Sequence, residues 1–195
     1  MKIAAIILAA GESKRMKSPK MILPFKGRTM IECVIGNIQA AGIDEPIIVV
    51  GAWKEDIEKV AGNHRVKIVF NRNYRNGMLS SVICGINSVP PSCDAAVIIP
   101  GDMPMVSADV INKVINDYIA TGKRIVIPVY QGRRGHPLLV ASDLFREINR
   151  LDENEGLRQL AQVYPEDVIE AEVDSDSILK DIDTRTEYLK EINSN

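Results

Sequence analysis

Ile3-Ala4-Ala5-Ile6-Ile7-Leu8-Ala9-Ala10-Gly11-Glu12-Ser13-Lys14-Arg15-Met16-Lys17-Ser18-Pro19-Lys20 runs through eight apolar residues and then breaks at a glycine into a basic segment. An uninterrupted apolar run of this kind predicts a strand buried on both faces, as in a parallel sheet. Gly11 has access to backbone angles closed to other residues and lets a ligand approach the main chain. Lys14, Arg15, Lys17 and Lys20 supply positive charge. The stretch reads either as a phosphate loop at a strand end or as a solvated charge run.

Working outward, Thr29-Met30-Ile31-Glu32 has the spacing of a capping box, and Ile31, Val34, Ile35 and Ile38 recur at helical intervals until Gly42. Buried strands are expected at Pro46–Val50, Val66–Phe70 and Ala95–Pro100, with helices between them, through Ile57 and Val60 and from near Ser80. This alternation predicts an α/β fold, a doubly wound and mostly parallel sheet with right-handed connections. Ser107 caps a further helix through Val110, Val114, Ile115 and Tyr118; strands follow at Ile125–Pro128 and Leu138–Val140, helices at 144–151 and 157–163, and a strand at Val168–Ile169. At 195 residues one domain is expected.

Composition excludes several classes. With 46% apolar and 26% charged residues and a formal net charge of −2, nothing suggests a general nucleic-acid binder. Cys33, Cys84 and Cys93 have no metal-ligand spacing, and His64 and His136 are far apart, which argues against zinc. No apolar stretch reaches the roughly 20 residues of a membrane span, and a cytoplasmic location is expected. Charge is uneven: six bases face one acid between Glu12 and Arg28, whereas ten acids face three bases from Glu166 onward.

Four later segments carry candidate chemistry. The polar run Asn71–Gly85 follows a strand and turns into a helix whose first N–H groups could meet an anion, although Asn and Gly also make ordinary turns. Asp102, in Gly101-Asp102-Met103-Pro104, lies at a strand's carboxyl end, where open α/β sheets place ligands; because Ser107 already supplies the helix cap, function is favoured for it. Gln131 to Pro137 makes a cationic hairpin suited to an anionic acceptor, or a mobile surface hairpin. Asp183 and Thr184 precede a terminal helix and read first as its caps. The opening loop itself is neither a P-loop, since Met16-Lys17-Ser18 lacks the second glycine, nor a dinucleotide fingerprint, since positions 11 to 16 read G-E-S-K-R-M.

Leu8-Ala9-Ala10-Gly11-x-Ser13-x-Arg15-Met16 with Pro19-Lys20, joined to Gly77-Met78-x-Ser80-Ser81-x-x-x-Gly85, Gly101-Asp102-Met103-Pro104, Arg134-Gly135-His136-Pro137 and Asp181-Ile182-Asp183-Thr184, resembles the molybdenum cofactor nucleotidyltransferases, in particular the CTP:molybdopterin cytidylyltransferases. The likeness spans nearly the whole chain. It implies the Rossmann-like fold of the nucleotide-diphospho-sugar transferase type, with CTP and molybdopterin as substrates, Mg²⁺ as cofactor and a recipient molybdoenzyme as partner. It also implies that Leu8, Ala9, Ala10 and Gly11 touch the base and ribose, that Arg15 and Lys20 bind the triphosphate, and that Asn71, Gly77 and Ser81 border the nucleoside. Asp102 and Asp183 would hold the metal, and Arg134, Gly135, His136 and Pro137 would face the acceptor. Ala10 stands where relatives that resemble guanylyltransferases carry glycine, which implies preference for CTP over GTP. Lys17 departs from the glycine common in relatives, and Arg185 from the usual proline. Transfer to another phosphorylated acceptor, or a carrier role for the finished cofactor, are the competing readings.

Overall fold

The computed structural model describes residues 1–16, 18–153 and 155–193; Lys17, the departure in the loop, lies outside the described residues. Its elements in order are β1 (Ile3–Ala9), β2 (Pro24–Phe25), β3 (Arg28–Thr29), α1 (Met30–Ala40), β4 (Ile47–Val50), α2 (Lys54–Ala61), β5 (Lys67–Phe70) and α3 (Met78–Ile86). They continue with β6 (Ala95–Pro100), α4 (Ala108–Thr121), β7 (Ile125–Tyr130), β8 (Arg133–Arg134), β9 (Leu138–Ala141), α5 (Phe145–Ile148), α6 (Arg158–Val163), β10 (Val168–Glu172) and α7 (Arg185–Asn193).

The main sheet has the order β10-β7-β9-β6-β1-β4-β5, with β8 paired to β7. Strand β1 lies parallel to both neighbours, Ile7 standing beside Ile48 of β4 and Ile99 of β6. The apolar run is continuous because both its faces are covered. Ala5, Ile7 and Ala9 pack with Ile31, Ile35, Ile57 and Ile111 on one side. Ala4, Ile6 and Leu8 pack with Leu79, Val82, Leu144 and Leu160 on the other. This is the expected doubly wound, mostly parallel arrangement.

One central strand runs the other way. Strand β9 is antiparallel to β6 and β7, with Ile98 opposite Leu138 and Val126 opposite Leu139. A parallel return would need a crossover of about a dozen residues, and the connection 131–137 is too short for one. From β1 the chain first builds outward to β4 and β5, then crosses back to place β6 on the opposite side of β1. That reversal opens a crevice at the carboxyl ends of β1 and β6, where open α/β sheets bind ligands.

A smaller cluster fixes the periphery of this crevice. Phe25 of the β2–β3 hairpin, Met30, Ile182 and Tyr188 of α7 are buried together, with Met16 of the opening loop against them. The Tyr188 hydroxyl donates to the Pro24 carbonyl at 2.6 Å. Ile182 N–H donates to the Asp102 carbonyl at 3.0 Å, which ties the last segment of the chain to the end of β6.

Candidate active site

A cavity of about 440 Å³ opens at the carboxyl ends of β1 and β6, within the size range of small-ligand sites. Leu8, Ala10 and Gly11 form one wall, Gly77 and Ser81 another, and Arg15, Lys20, Asp102 and Asp183 close it at the charged end. The loop keeps its shape by local contacts. Met16 N–H donates to the Ser13 carbonyl at 3.0 Å, and the Trp53 indole N–H donates to the Glu12 carbonyl at 3.1 Å. The left-handed residue of this turn is Ser13, at φ 50°, and not Gly11. Gly11 instead leaves open space beside the main chain, since a Cβ there would meet nothing within 4 Å.

Lys20 is the centre of the charged end. Although 6% exposed, its Nζ donates to Asp102 Oδ2 at 2.5 Å and to Asp183 Oδ1 at 2.6 Å. Arg15 Nη1 donates to Asp183 Oδ2 at 2.6 Å. Burial by itself lowers the Lys20 pKa, but the two carboxylates outweigh it and hold the ammonium above the ordinary lysine value. Burial also pushes Asp102 up, against the pull of Lys20. Asp183 moves the other way. Burial raises it, and the hydrogen bonds and charges of Lys20 and Arg15 overcome that and hold its carboxyl below the usual range.

Asp183 is free for this role because its neighbour caps the helix. Thr184 Oγ1 accepts from Glu187 N–H at 3.2 Å, while Glu187 Oε2 accepts from the N–H groups of Asp183 and Thr184 at 3.0 and 2.7 Å. Capping, expected for both residues, falls to Thr184. The Thr184-x-x-Glu187 spacing was the signal that could have released Asp183 from that reading.

Other expected site residues lie outside the cavity lining. Ala9 faces the core on the α1 side of the sheet. Asn71 is buried, its Nδ2 donating to Ser80 Oγ at 2.9 Å and Ser81 Oγ at 3.1 Å, and its Oδ1 accepting from Asn73 N–H at 2.9 Å. It shapes the β5–α3 loop. Arg134 is exposed and donates from Nε to Glu170 Oε1 at 2.7 Å. Gly135 sits where a Cβ would overlap the Ile178 carbonyl, and His136 N–H donates to that same carbonyl at 3.0 Å. Pro137, after a cis peptide bond, is buried. Residues 134–137 thus pack as a group beside β7 and segment 176–179.

Among the cavity-lining side chains to which the sequence reading gave no site role are Tyr74 and Met78. Tyr74 lies against Gly51, where a Cβ would collide with it, and Met78 at the start of α3 is 60% exposed. A large apolar side chain left open to solvent inside a cavity was the available clue for Met78 in the Gly77-Met78 turn.

Asp102 Oδ1 is buried and has no hydrogen-bond partner. Such an orphaned anionic oxygen, beside a second carboxylate, is a donor set suited to a hard divalent ion. Among the described residues no group of three or more His, Cys, Asp or Glu is placed to hold a metal ion, so at this site the described residues offer two carboxylates.

Residues 5–168 match the MobA-like NTP transferase domain. The chain belongs to the MobA-like NTP transferase family. It is similar to the molybdenum cofactor cytidylyltransferase of Escherichia coli (strain K12), with 28% identity over 189 residues, 96% of this chain and 94% of that one. It also resembles the bifunctional protein GlmU of Caldanaerobacter subterraneus, with 27% identity over 97% of this chain and 40% of that protein. Among solved structures, Rv0371c from Mycobacterium tuberculosis H37Rv superposes with a TM-score of 0.87 at 25% identity, covering 99% of this chain and 98% of that one. This member of the MobA-like family is therefore a nucleotidyltransferase with the fold of the nucleotide-diphospho-sugar transferase type. No helix among the described residues is long and apolar enough to cross a membrane.

Proposed function

We propose that the chain transfers CMP from CTP to the terminal phosphate of molybdopterin, with or without its metal, and releases pyrophosphate. The observation that carries the reading is the cluster of Arg15, Lys20, Asp102 and Asp183 in a cavity that Leu8, Ala10, Gly11, Gly77 and Ser81 also line. A phosphate oxygen of the acceptor bonds to the α-phosphorus of CTP, and the bond from that phosphorus to the bridging oxygen of the β-phosphate breaks. The electron pair leaves with pyrophosphate. A phosphate monoester is already ionised near neutral pH, so the chain has to position two anions and offset their charge, and no general base is required.

Leu8, Ala10 and Gly11 hold the nucleoside side through close approach to the main chain, with Gly77 and Ser81 opposite. Arg15 and Lys20 take the triphosphate and the charge that develops on the leaving pyrophosphate. Asp102 and Asp183 would hold Mg²⁺, whose contribution when bound is to polarise and neutralise the phosphate under attack. The relationship to the Escherichia coli cytidylyltransferase over almost the full length of both chains supports cytidine and molybdopterin as the substrates.

Ala10 is the base filter in this reading. Its buried methyl group borders the cavity and crowds a purine more than a pyrimidine. Pyrophosphate release measured with CTP and with GTP, each with Mg²⁺ and a panel of phosphorylated acceptors, tests the whole proposal. CTP with molybdopterin should be the fastest combination, and Ala10→Gly should narrow the gap to GTP. Equal or faster release with GTP would sink the base assignment.

One observation favours a second reading, in which the same donor chemistry serves another phosphorylated acceptor. Arg134 is engaged by Glu170, and none of residues 134–137 lines the cavity. The acceptor panel separates the two readings, because only one acceptor class should support release at low concentration.

A further inference from the structure

Lys20 and Arg15 are both committed to carboxylates. Four carboxylate oxygens are present on Asp102 and Asp183. Lys20 takes one oxygen from each acid, at 2.5 and 2.6 Å, and Arg15 takes the other oxygen of Asp183 at 2.6 Å. The fourth, Asp102 Oδ1, is buried and unpartnered. Two acids and two bases leave this cluster neutral, with an ammonium group held between the very carboxylates that suit a divalent ion.

We propose that Lys20 and Arg15 are resident counter-ions of the metal subsite, displaced only when a nucleotide triphosphate gives them new partners, so that metal and nucleotide are admitted together. The proposal rests on reading Asp102 and Asp183 as the metal ligands. A divalent ion arriving alone meets a neutral cluster and a nearby ammonium that repels it at low local dielectric. The triphosphate changes this balance. It offers Lys20 and Arg15 phosphate oxygens within the cavity they already line, and as they turn to it both acids lose their counter-charge. A divalent ion held by Asp102 and Asp183 would supply that counter-charge, with Asp102 Oδ1 as the oxygen still free to bind it.

Local structure permits the exchange without rebuilding the backbone. Lys20 begins the 3-10 turn Lys20–Ile22, whose Met21 is buried in the core, so its main chain stays fixed while the four-carbon stem swings. Arg15 has a side chain 70% exposed, on a loop, and moves at little cost. A physical reason for the arrangement also exists. Two acids brought this close, one of them nearly buried, would repel each other without a counter-charge, and Lys20 removes that penalty. By linkage, whatever loosens the two cations must tighten the metal.

Manganese binding to the purified protein without nucleotide, followed by electron paramagnetic resonance, tests this without any turnover. Wild type should bind Mn²⁺ weakly. Lys20→Met should bind it roughly tenfold more tightly or better, within the usual span of coupling between sites, and Arg15→Gln a fewfold more tightly. Adding Asp102→Asn to Lys20→Met should erase the gain. Lys20→Met leaves a buried acid without its partner, so its fold is checked by thermal melting; Arg15→Gln, altered at an exposed position, keeps the test decisive if the first variant unfolds. If neither variant binds Mn²⁺ more tightly than wild type while Asp102→Asn removes what binding there is, the metal assignment stands and the counter-ion proposal is overturned. If Asp102→Asn leaves Mn²⁺ binding unchanged in every background, the metal assignment itself fails and the proposal with it.

Discussion

Two basic loops of this protein look alike in sequence and behave differently in the fold. Each places glycine beside paired cations at a strand end: Gly11 with Lys14 and Arg15, and Gly132 with Arg133 and Arg134. In the first, Arg15 and the following Lys20 meet Asp102 and Asp183, and the Lys20 side chain is 8% exposed. In the second, Arg134 has a side chain 52% exposed and pairs with Glu170 on the neighbouring edge strand, outside the cavity. Basic charge alone does not make a phosphate site. What separates the two loops is the delivery of acids from distant segments into the same cavity, which gathers Arg15, Asp102 and Asp183 around the buried Lys20.

The sharpest way to break that comparison is at the acid. Asp102→Asn keeps the shape of the side chain and removes its charge, and transfer should fall on the order of a thousandfold, comparable to loss of a main electrostatic group in other active sites. Because the residue lies at a strand's carboxyl edge, circular dichroism should show the fold retained. Turnover within tenfold of wild type would make Asp102 a structural partner of Lys20 only.

Next in size is the contrast between the two cations. Lys20→Met should lower kcat/KM for CTP on the order of a hundredfold, since the proposed charge-assisted contact of Lys20 to the triphosphate is lost. Arg134→Ala should leave the constants for CTP within about threefold and act, if at all, through KM for the acceptor, because its partner is a half-exposed carboxylate in high dielectric. Equal losses from the two substitutions would erase the distinction drawn between the loops.

The same contrast explains how much could be read in advance. Strand β1 and the flanking helices were legible because continuous apolar runs and the Thr29–Glu32 capping box are local signals, and the box is present as expected. The antiparallel turn into β9 was legible as well, since a hairpin at 131–137 implies it, whereas the insertion of β9 between β7 and β6 was not, because Leu138-Leu139-Val140 carries no local mark of its second neighbour. The charged cluster was the least legible. Lys20 stands 82 residues from Asp102 and 163 from Asp183, and no periodicity carries across such distances. Asn71 is a related case: its amide bonds Asn73, Ser80 and Ser81, partners that only the folded loop brings together.

A smaller effect probes the second region through pH. His136 Nδ1 is buried without a partner, and burial lowers the imidazole pKa from its ordinary 6.5, against the hydrogen bond to the Ile98 backbone and the charge of Asp181. With the folded pKa below the unfolded one, the unfolded chain takes the proton first as pH falls. Stability is therefore complete above about 6.5 and declines as pH drops from there toward the folded value. Thermal melting midpoints should fall across that window in wild type, and His136→Gln should flatten the decline. A slope unchanged by the substitution would mean that the histidine does not carry it.

The smallest expected effect comes from the cap of α1, a helix that lines no part of the cavity, which makes it the control for all the others. Thr29 Oγ1 accepts from Glu32 N–H at 3.4 Å, and Glu32 Oε2 accepts from Thr29 N–H at 2.8 Å, while Glu32 Oε1 lies 3.2 Å from His64. Hydrogen bonds from the Thr29 backbone and side chain hold the Glu32 carboxyl below its ordinary value of 4.5. A depressed folded pKa means stability present above about 4.5 and lost as pH falls through the folded value. Thr29→Ala should then cost about 1 kcal/mol near neutral pH, typical of a lost cap, and less once Glu32 is protonated. Chemical denaturation at neutral pH and in acid measures both figures. CTP binding by the Thr29→Ala variant should equal that of wild type at a temperature where both are folded, because α1 supports the sheet without touching the cavity. A loss of affinity comparable to that of Lys20→Met would show that the Lys20 effect reports general loosening of the fold, and the contrast between the two loops would have to be rebuilt on other residues.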